Sequence, residues 1–433
     1  MYTTSSGSER LGQRPLKIGY VWHYEAAEIS PVSATALHIQ AVVRGFQRRG
    51  HTVRMVTVRN DRTHFSDNLE TWQPVYLSES EQGVSAFRLL ERFIRGVQSR
   101  LHLPFVRFFD SYRFSQAVAT ALADCDVLYE RFWLLAYGGL MAARRLNIPL
   151  IYEVNGDLVE EYTQLGISLS RSQWKAIHFV TRQMFQHAGR VVTVSDTLRQ
   201  RTIDRWGLDN SQVETVPNGA DVSLFANPDQ DEVHRLSQHY GLNGGPLIIF
   251  VGSFKPWHGL DLLVDAFGRL AGKDQEAKLV LVGDGPTRAE LESHVRQLNL
   301  AGRVVFTGAV PHPEVARLLN LAQVAVLNPR LSPASLSQSP LKLFEYMAAG
   351  KAIVAPAIPN IQQVLEDRET ALLVPPDQPE SLACALLELL QDHHLRTALG
   401  HSAKQKALKN HSWDQTVASL EAIFNQELAK ERR

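Results

Sequence analysis

The sequence predicts an α/β protein of two doubly wound, Rossmann-like domains, and three observations predict it. The 433 residues exceed what one hydrophobic core usually organises, while 44% hydrophobic composition is ample for globular folding. Short apolar runs of strand length alternate with helical patterns along nearly the whole chain, the signature of parallel sheets with crossover helices. The alternation pauses at a polar stretch near 227–245 and then restarts.

The first unit opens with a βαβ pattern: a buried strand at 16–22, a helix at 33–49 closed by Gly50, and a strand at 51–58. Further strand-like runs fall at 126–129, 150–154, 191–194 and 213–216. The second unit has strand-like runs at 247–251, 278–282, 304–307, 324–327, 352–355 and 371–374, each followed by a turn bearing Gly or Pro. The expected division is a disordered tail over 1–15, a first domain over 16–222, a second over 223–413 and a closing helix over 414–433. Sheets of this kind bind ligands at the carboxyl ends of their strands, so the two domains should share a cleft there.

Composition excludes several classes. With 45 basic and 45 acidic side chains the formal charge is zero, which argues against a nucleic-acid partner. Cys125 and Cys384 stand apart from any cluster at ligand spacing, so neither a disulfide framework nor a zinc site is indicated. Asp124 and Asp126 lead into a strand, on the edge opposite the functional one, and read as a turn rather than a metal site. The first fifteen residues lack the apolar core of a secretory leader, and no apolar run approaches the ~20 residues of a membrane span. A cytoplasmic protein is expected, with any membrane contact peripheral at the inner face. A contact of that kind is suggested between residues 84 and 114. There Arg88, Arg92, Arg95, Arg100, Arg107 and Arg113 interleave with Phe87, Phe93, Ile94, Phe105, Phe108 and Phe109. The segment suits docking on an anionic membrane, but aromatic stripes at helical spacing more often line a core, which favours a helix with Phe in the core and Arg in water.

The most informative segment spans 339–355. Pro340 suits the first helical position, Leu341, Phe344 and Ala348 repeat at helical spacing, and Gly350 can stop the helix before a short buried strand. Lys342 and Glu345, three apart, share a face. A helix N-terminus with a lysine suits a phosphate, and an acid one turn in suits the hydroxyls of a ribose. Taken alone, the pair reads equally well as a surface ion pair.

In context this segment resembles the nucleotide-sugar signature of the GT-B glycosyltransferases of family 4, the group 1 glycosyltransferases. That pattern is an acid, seven residues, a second acid, then small residues and Gly. Glu345 matches the second acid, whereas the first position holds Ser337. Three further loops carry the likeness: Gly252-Ser-Phe-Lys-Pro-Trp-His-Gly259 after the first strand of the second domain, Val282-Gly-Asp-Gly-Pro286, and Val305-Phe-Thr-Gly-Ala-Val310. So does the linker Pro217-Asn-Gly-Ala-Asp221. The resemblance implies two Rossmann-like domains facing across a cleft, the last helix crossing back to the first domain, and retaining transfer of a sugar from a nucleotide diphosphate without metal or cofactor.

By the same resemblance Gly252, Ser253, His258, Gly283, Asp284, Gly285, Ser339, Pro340 and Leu341 border the donor, together with Ser337, and Ala309 and Val310 offer backbone edges to the base. The family's diphosphate-gripping Arg and Lys positions hold Ser253 and His258, so Lys255 and Lys342 are the expected cations, with His258 as a helper, and Glu345 completes the catalytic set. On the acceptor side, Asn155 replaces a family His, and His38, Glu130, Glu153 and Asp157 are candidates. Expected partners are a nucleotide sugar and a saccharide or lipid-linked acceptor in polysaccharide biosynthesis. The rivals are a GT-B sugar-nucleotide epimerase, which needs no acceptor, and a non-catalytic sugar-nucleotide-binding scaffold.

Overall fold

A computed structural model describes residues 14–25, 33–77, 92–94, 96, 108–164, 166, 170–226 and 229–431. Two sheets organise them. The first runs in the order β4-β3-β2-β1-β5-β6-β7-β8, the second β11-β10-β9-β12-β13-β14. In the first, β1 (Lys17–Glu25) lies between β2 (Thr52–Arg59) and β5 (Val127–Arg131), with β6 (Leu150–Val154), β7 (Arg190–Thr193) and β8 (Val213–Thr215) beyond, all parallel. An edge not expected from the sequence follows β2. There β3 (Arg62–Ser66) and β4 (Gln73–Pro74) add antiparallel, joined to β2 by a turn in which Asn60 and Asp61 both take positive φ. These strands are short and polar, so hydrophobic patterning does not reveal them.

The second sheet is wholly parallel: β9 (Leu247–Val251), β10 (Lys278–Val282), β11 (Val304–Gly308), β12 (Val324–Val326), β13 (Ala352–Pro356) and β14 (Leu372–Val374). Strand β9 is buried at every position, as strands covered on both faces must be. Its neighbours β10 and β12 continue the chain in opposite directions across the sheet. The β9/β12 boundary is thus the topological switch point, where open sheets of this type leave a ligand crevice. The β1/β5 boundary is its counterpart in the first domain.

Four apolar clusters sandwich the sheets, two per domain. Helix α1 (Ala34–Arg48), capped by the Ser33 hydroxyl, packs Ile39, Val43 and Phe46 on one face of the first sheet. The last helix, Trp413–Glu431, crosses from the second domain and adds Val417, Leu420 and Phe424 to that same cluster. Phe46 and Phe424 stack at 5.2 Å, and Arg49 pairs with Glu421 at 2.5 Å. The chain therefore passes between domains twice, and the two passages touch. A Cβ on Gly219 would lie 2.6 Å from the Ser412 backbone, and Ala220 N–H donates to the His411 carbonyl.

Of the basic aromatic stretch, Arg88, Arg95, Arg100, Arg107, Phe87 and Phe105 lie outside the described residues, while Phe93 is exposed and Phe109 is buried. No helix among the described residues is long and apolar enough to cross a membrane. Asp124 and Asp126 lie at the leading edge of β5, away from the cleft, bonded to Lys17 at 2.9 Å and to the Lys17 N–H at 2.7 Å.

Candidate active site

Three glycine-bearing loops at the carboxyl ends of β9, β10 and β11 stack on one another. Gly252 N–H donates to the Val282 carbonyl and Gly283 N–H to the Gly308 carbonyl, both at 2.9 Å. A Cβ on Gly283, whose φ is +135°, would sit 2.0 Å from the Gly252 oxygen. Only glycine allows that approach. Gly285 packs against the Phe254 backbone, where a Cβ would lie 2.6 Å from its oxygen, and Asp284 folds back to accept from the Gly285 N–H at 2.7 Å while pairing with Arg288. Ala309 is exposed at the end of β11, and Val310 is buried beneath it.

The helix Leu341–Ala348 of the second domain points its N-terminus at this layer. Pro340 is its N-cap residue rather than its first helical one, and Gly350, at φ +66°, ends it. Lys342 reaches back over Gly252, where a Cβ would meet its Nζ at 2.5 Å, and its ammonium lies 4.0 Å from the Phe250 ring centre. Burial pushes the Lys342 pKa down to about 7, against the pull of Glu345. No carboxylate among the described residues lies within ion-pair reach of it. Glu345 is buried and accepts from His312 Nε2 at 2.7 Å.

His258, the expected helper of Lys255 and Lys342, is held in one tautomer. Its Nδ1 lies 2.5 Å from the Ser253 carbonyl, so Nδ1 carries the proton and Nε2 keeps a lone pair. Burial, reinforced by Lys342 and Lys255, pushes its pKa down to about 3. At neutral pH it is an uncharged hydrogen-bonding group. Lys255 remains exposed, its ammonium 4.9 Å from the Trp257 ring centre.

The position of the family's first acid is turned inward. Ser337 is wholly buried, its hydroxyl donating to the Ala334 carbonyl at 2.9 Å, and its own carbonyl accepts from Ser195 of the first domain at 2.8 Å. Asn218 of the linker likewise donates to the Ser339 carbonyl at 2.7 Å, and Arg201 to the Pro333 carbonyl at 2.7 Å. This segment therefore clasps the two domains together. Beside it a pocket lined by Phe250, His258, Asn328, Gln338, Lys342 and Asn360 opens at the switch point. Asn360 holds the clasp from beneath, donating to the Ser335 and Gln338 carbonyls, while its side-chain oxygen is buried without a partner.

In the first domain the predicted residues separate into two sets. Glu153, His38 and Glu130 are core groups beneath the cleft, each less than a twentieth exposed. Glu153 bonds His38 Nε2 at 2.6 Å and the Tyr20 and Tyr129 hydroxyls at 2.9 and 2.7 Å. Burial opposes its charge, but His38 and Arg131 prevail and hold its carboxyl well below the usual range. His38 Nδ1 faces the Asn218 oxygen at 2.9 Å. That His links the core to the interdomain linker rather than to solvent. Glu130 packs against Gly139, and burial pushes its pKa well up. Asn155 and Asp157 do lie at the mouth, at the end of β6. Asp157 pairs with Arg205 at 3.2 Å, and Asn155 Nδ2 is buried without a partner.

Sequence reading missed His312, Asn218's bridging role, and the clasp. His312 stands at the start of the helix His312–Leu321, directly after the loop expected to border the base, a placement that could have marked it. The clasp had no local signal, because its partners are 121 and 142 residues apart.

Two Rossmann-like domains with loops converging from the carboxyl ends of both sheets constitute the GT-B architecture of glycosyltransferases. Residues 35–224 match the family described as Glycosyltransferase Family 4, and residues 233–406 match Glycosyl transferases group 1. The chain belongs to the group 1, family 4 glycosyltransferases. It is similar to an uncharacterised glycosyltransferase of Methanocaldococcus jannaschii, 23% identical over 91% of this chain and 94% of that one. It is also similar to a D-inositol 3-phosphate glycosyltransferase of Jonesia denitrificans, 25% identical over 69% and 71% respectively. Among solved structures, sucrose-phosphate synthase from Thermosynechococcus elongatus superposes with a TM-score of 0.71 at 20% identity, covering 96% of this chain and 100% of that one. Anabaena HepE in complex with UDP superposes with a TM-score of 0.70 at 16% identity, covering 95% and 100%. These likenesses show the fold.

Proposed function

We propose that the chain is a retaining, metal-independent transferase that moves a hexosyl or related group from a nucleotide-diphosphate sugar to a hydroxyl of a saccharide or lipid-linked acceptor in cytoplasmic polysaccharide biosynthesis. The observation that carries this is Lys342: a desolvated ammonium without an anionic partner, held over Gly252 at the switch point and at the head of a helix. A diphosphate supplies the missing charge. Anabaena HepE, of the same fold, has been solved with UDP, which supports a nucleotide in this cleft.

Each group then has a task. Glu345, oriented by His312, accepts hydrogen bonds from the ribose hydroxyls. Lys342, Lys255 and the first amides of Leu341–Ala348 stabilise the charge that grows on the diphosphate as its bond to the anomeric carbon breaks. With Ser337 turned inward, Asn360 Oδ1 and the neutral His258 Nε2 are the acceptors left for the donor sugar's hydroxyls. The acceptor hydroxyl attacks on the face the diphosphate leaves, and a diphosphate oxygen takes its proton, so no enzymic nucleophile is required. If the acceptor is lipid-linked, the segment around Arg88, Arg92 and Arg95 supplies a basic docking surface; anionic-liposome binding that survives charge reversal at all three counts against it.

The test is thermal unfolding with UDP, GDP, ADP and their common sugar conjugates, with and without EDTA. A shift with one base, insensitive to EDTA, is expected by mass action. No shift with any of them at millimolar concentration refutes the reading.

A further inference from the structure

We infer that Glu161 anchors the acceptor, taking a hydrogen bond from a saccharide hydroxyl next to the attacking one. This deepens the proposal above and rests on it. Glu161 lies one turn into the helix Leu158–Gln164, which starts immediately after the Asn155-Gly156-Asp157 turn at the end of β6. Its N–H donates to the Asp157 carbonyl at 2.9 Å, and its side chain leans back over the turn, as helical side chains do. A Cβ on Gly156 would lie 2.4 Å from Glu161 Oε1, so the glycine makes room for this carboxylate.

The groups that face Glu161 place it between the domains. They are Asp157 from its own loop, Arg131 from the end of β5, and Lys255 from the donor loop of the second domain. Of the other acids of this edge, Asp157 and Glu160 are engaged by Arg205 and Glu153 by His38, while Glu130 is sealed in the core beneath the cleft. Glu161 has no such partner among the described residues. The adjoining Asn155 contributes a buried amide nitrogen that also lacks one. An unengaged carboxylate and an unengaged amide donor together match vicinal hydroxyls, each of which both donates and accepts. Burial raises the Glu161 pKa and Lys255 offsets part of that rise, so its desolvation is already partly met before the acceptor arrives.

The experiment titrates methyl α-glycosides of glucose, mannose and galactose into the full chain saturated with UDP or GDP, followed by NMR. For Glu161→Gln and Glu161→Ala we expect the saccharide Kd to weaken by about tenfold or more, with nucleotide affinity within about threefold of wild type and an unchanged Tm. Gly156→Ala should reproduce the loss by displacing the carboxylate. Saccharide binding unchanged in both Glu161 variants overturns the inference, as does a parallel loss of nucleotide binding. So does a wild type that binds nucleotide but none of the three glycosides. A wild type that binds no nucleotide fails one step earlier, and with it falls the donor reading itself.

Discussion

Lys342 has one charge state when the cleft is empty and another when a diphosphate lies over it. In the free protein its proton is lost as pH rises through about 7, far below the ordinary 10.5. A bound diphosphate restores the charged form, so binding takes up a proton between those values and not below them. Nucleotide affinity should therefore fall by up to about tenfold per pH unit above pH 7, and calorimetric titration in buffers of different ionisation enthalpy should register the proton. Lys342→Ala or Glu345→Gln should lower donor affinity or turnover at least about tenfold, and unchanged kinetics in both would remove the site assignment. His312→Ala should act in the same direction as Glu345→Gln but more weakly, since it orients the acid rather than touching the ribose.

At the scale of elements, the strand-end loops are held by backbone approaches that tolerate no side chain. Gly283→Ala combines a positive φ with a 2.0 Å collision against the neighbouring loop. A loss of about 3 kcal/mol is expected in urea unfolding, with donor affinity falling in parallel. In the other domain, the His38–Glu153 pair is buried under the cleft and bonded on to the linker Asn218. Replacing His38 by Ala removes one partner of the buried Glu153 carboxylate, Arg131 and the two tyrosine hydroxyls remaining, and should cost up to about 3 kcal/mol. Because the folded Glu153 pKa is depressed, the pair's contribution is complete above the ordinary value of 4.5 and is lost as pH falls below it. Acid titration of wild type against Glu153→Gln reads that difference directly.

The whole molecule depends on the crossing helix. Phe424 is wholly buried among residues of the first domain, although its own helix follows the second. Phe424→Ala should destabilise by about 3–5 kcal/mol, and the first domain's tryptophan signal should report the loss, because the cavity opens in that core. The parallel strands and the glycine loops were legible in the sequence, since apolar runs of strand length and glycines at strand ends follow from local chemistry. The Lys342–Glu345 helix was legible for the same reason. The edge strands β3 and β4 were not, being short and polar, and neither was the charge state of His258.

By itself, then, the sequence determined the two doubly wound sheets, their order along the chain, and the lysine and acid that share a face at the head of one helix. These follow from periodicity and from residue spacing within a few turns. Only the tertiary structure decided that the Ser337 carbonyl turns inward to accept from Ser195, that His38 and Glu153 belong to the core, that His258 is neutral, and that Glu161 lies within the field of Lys255 from the other domain. Desolvation and long-range pairing set those outcomes, and both depend on which distant segments the fold brings together.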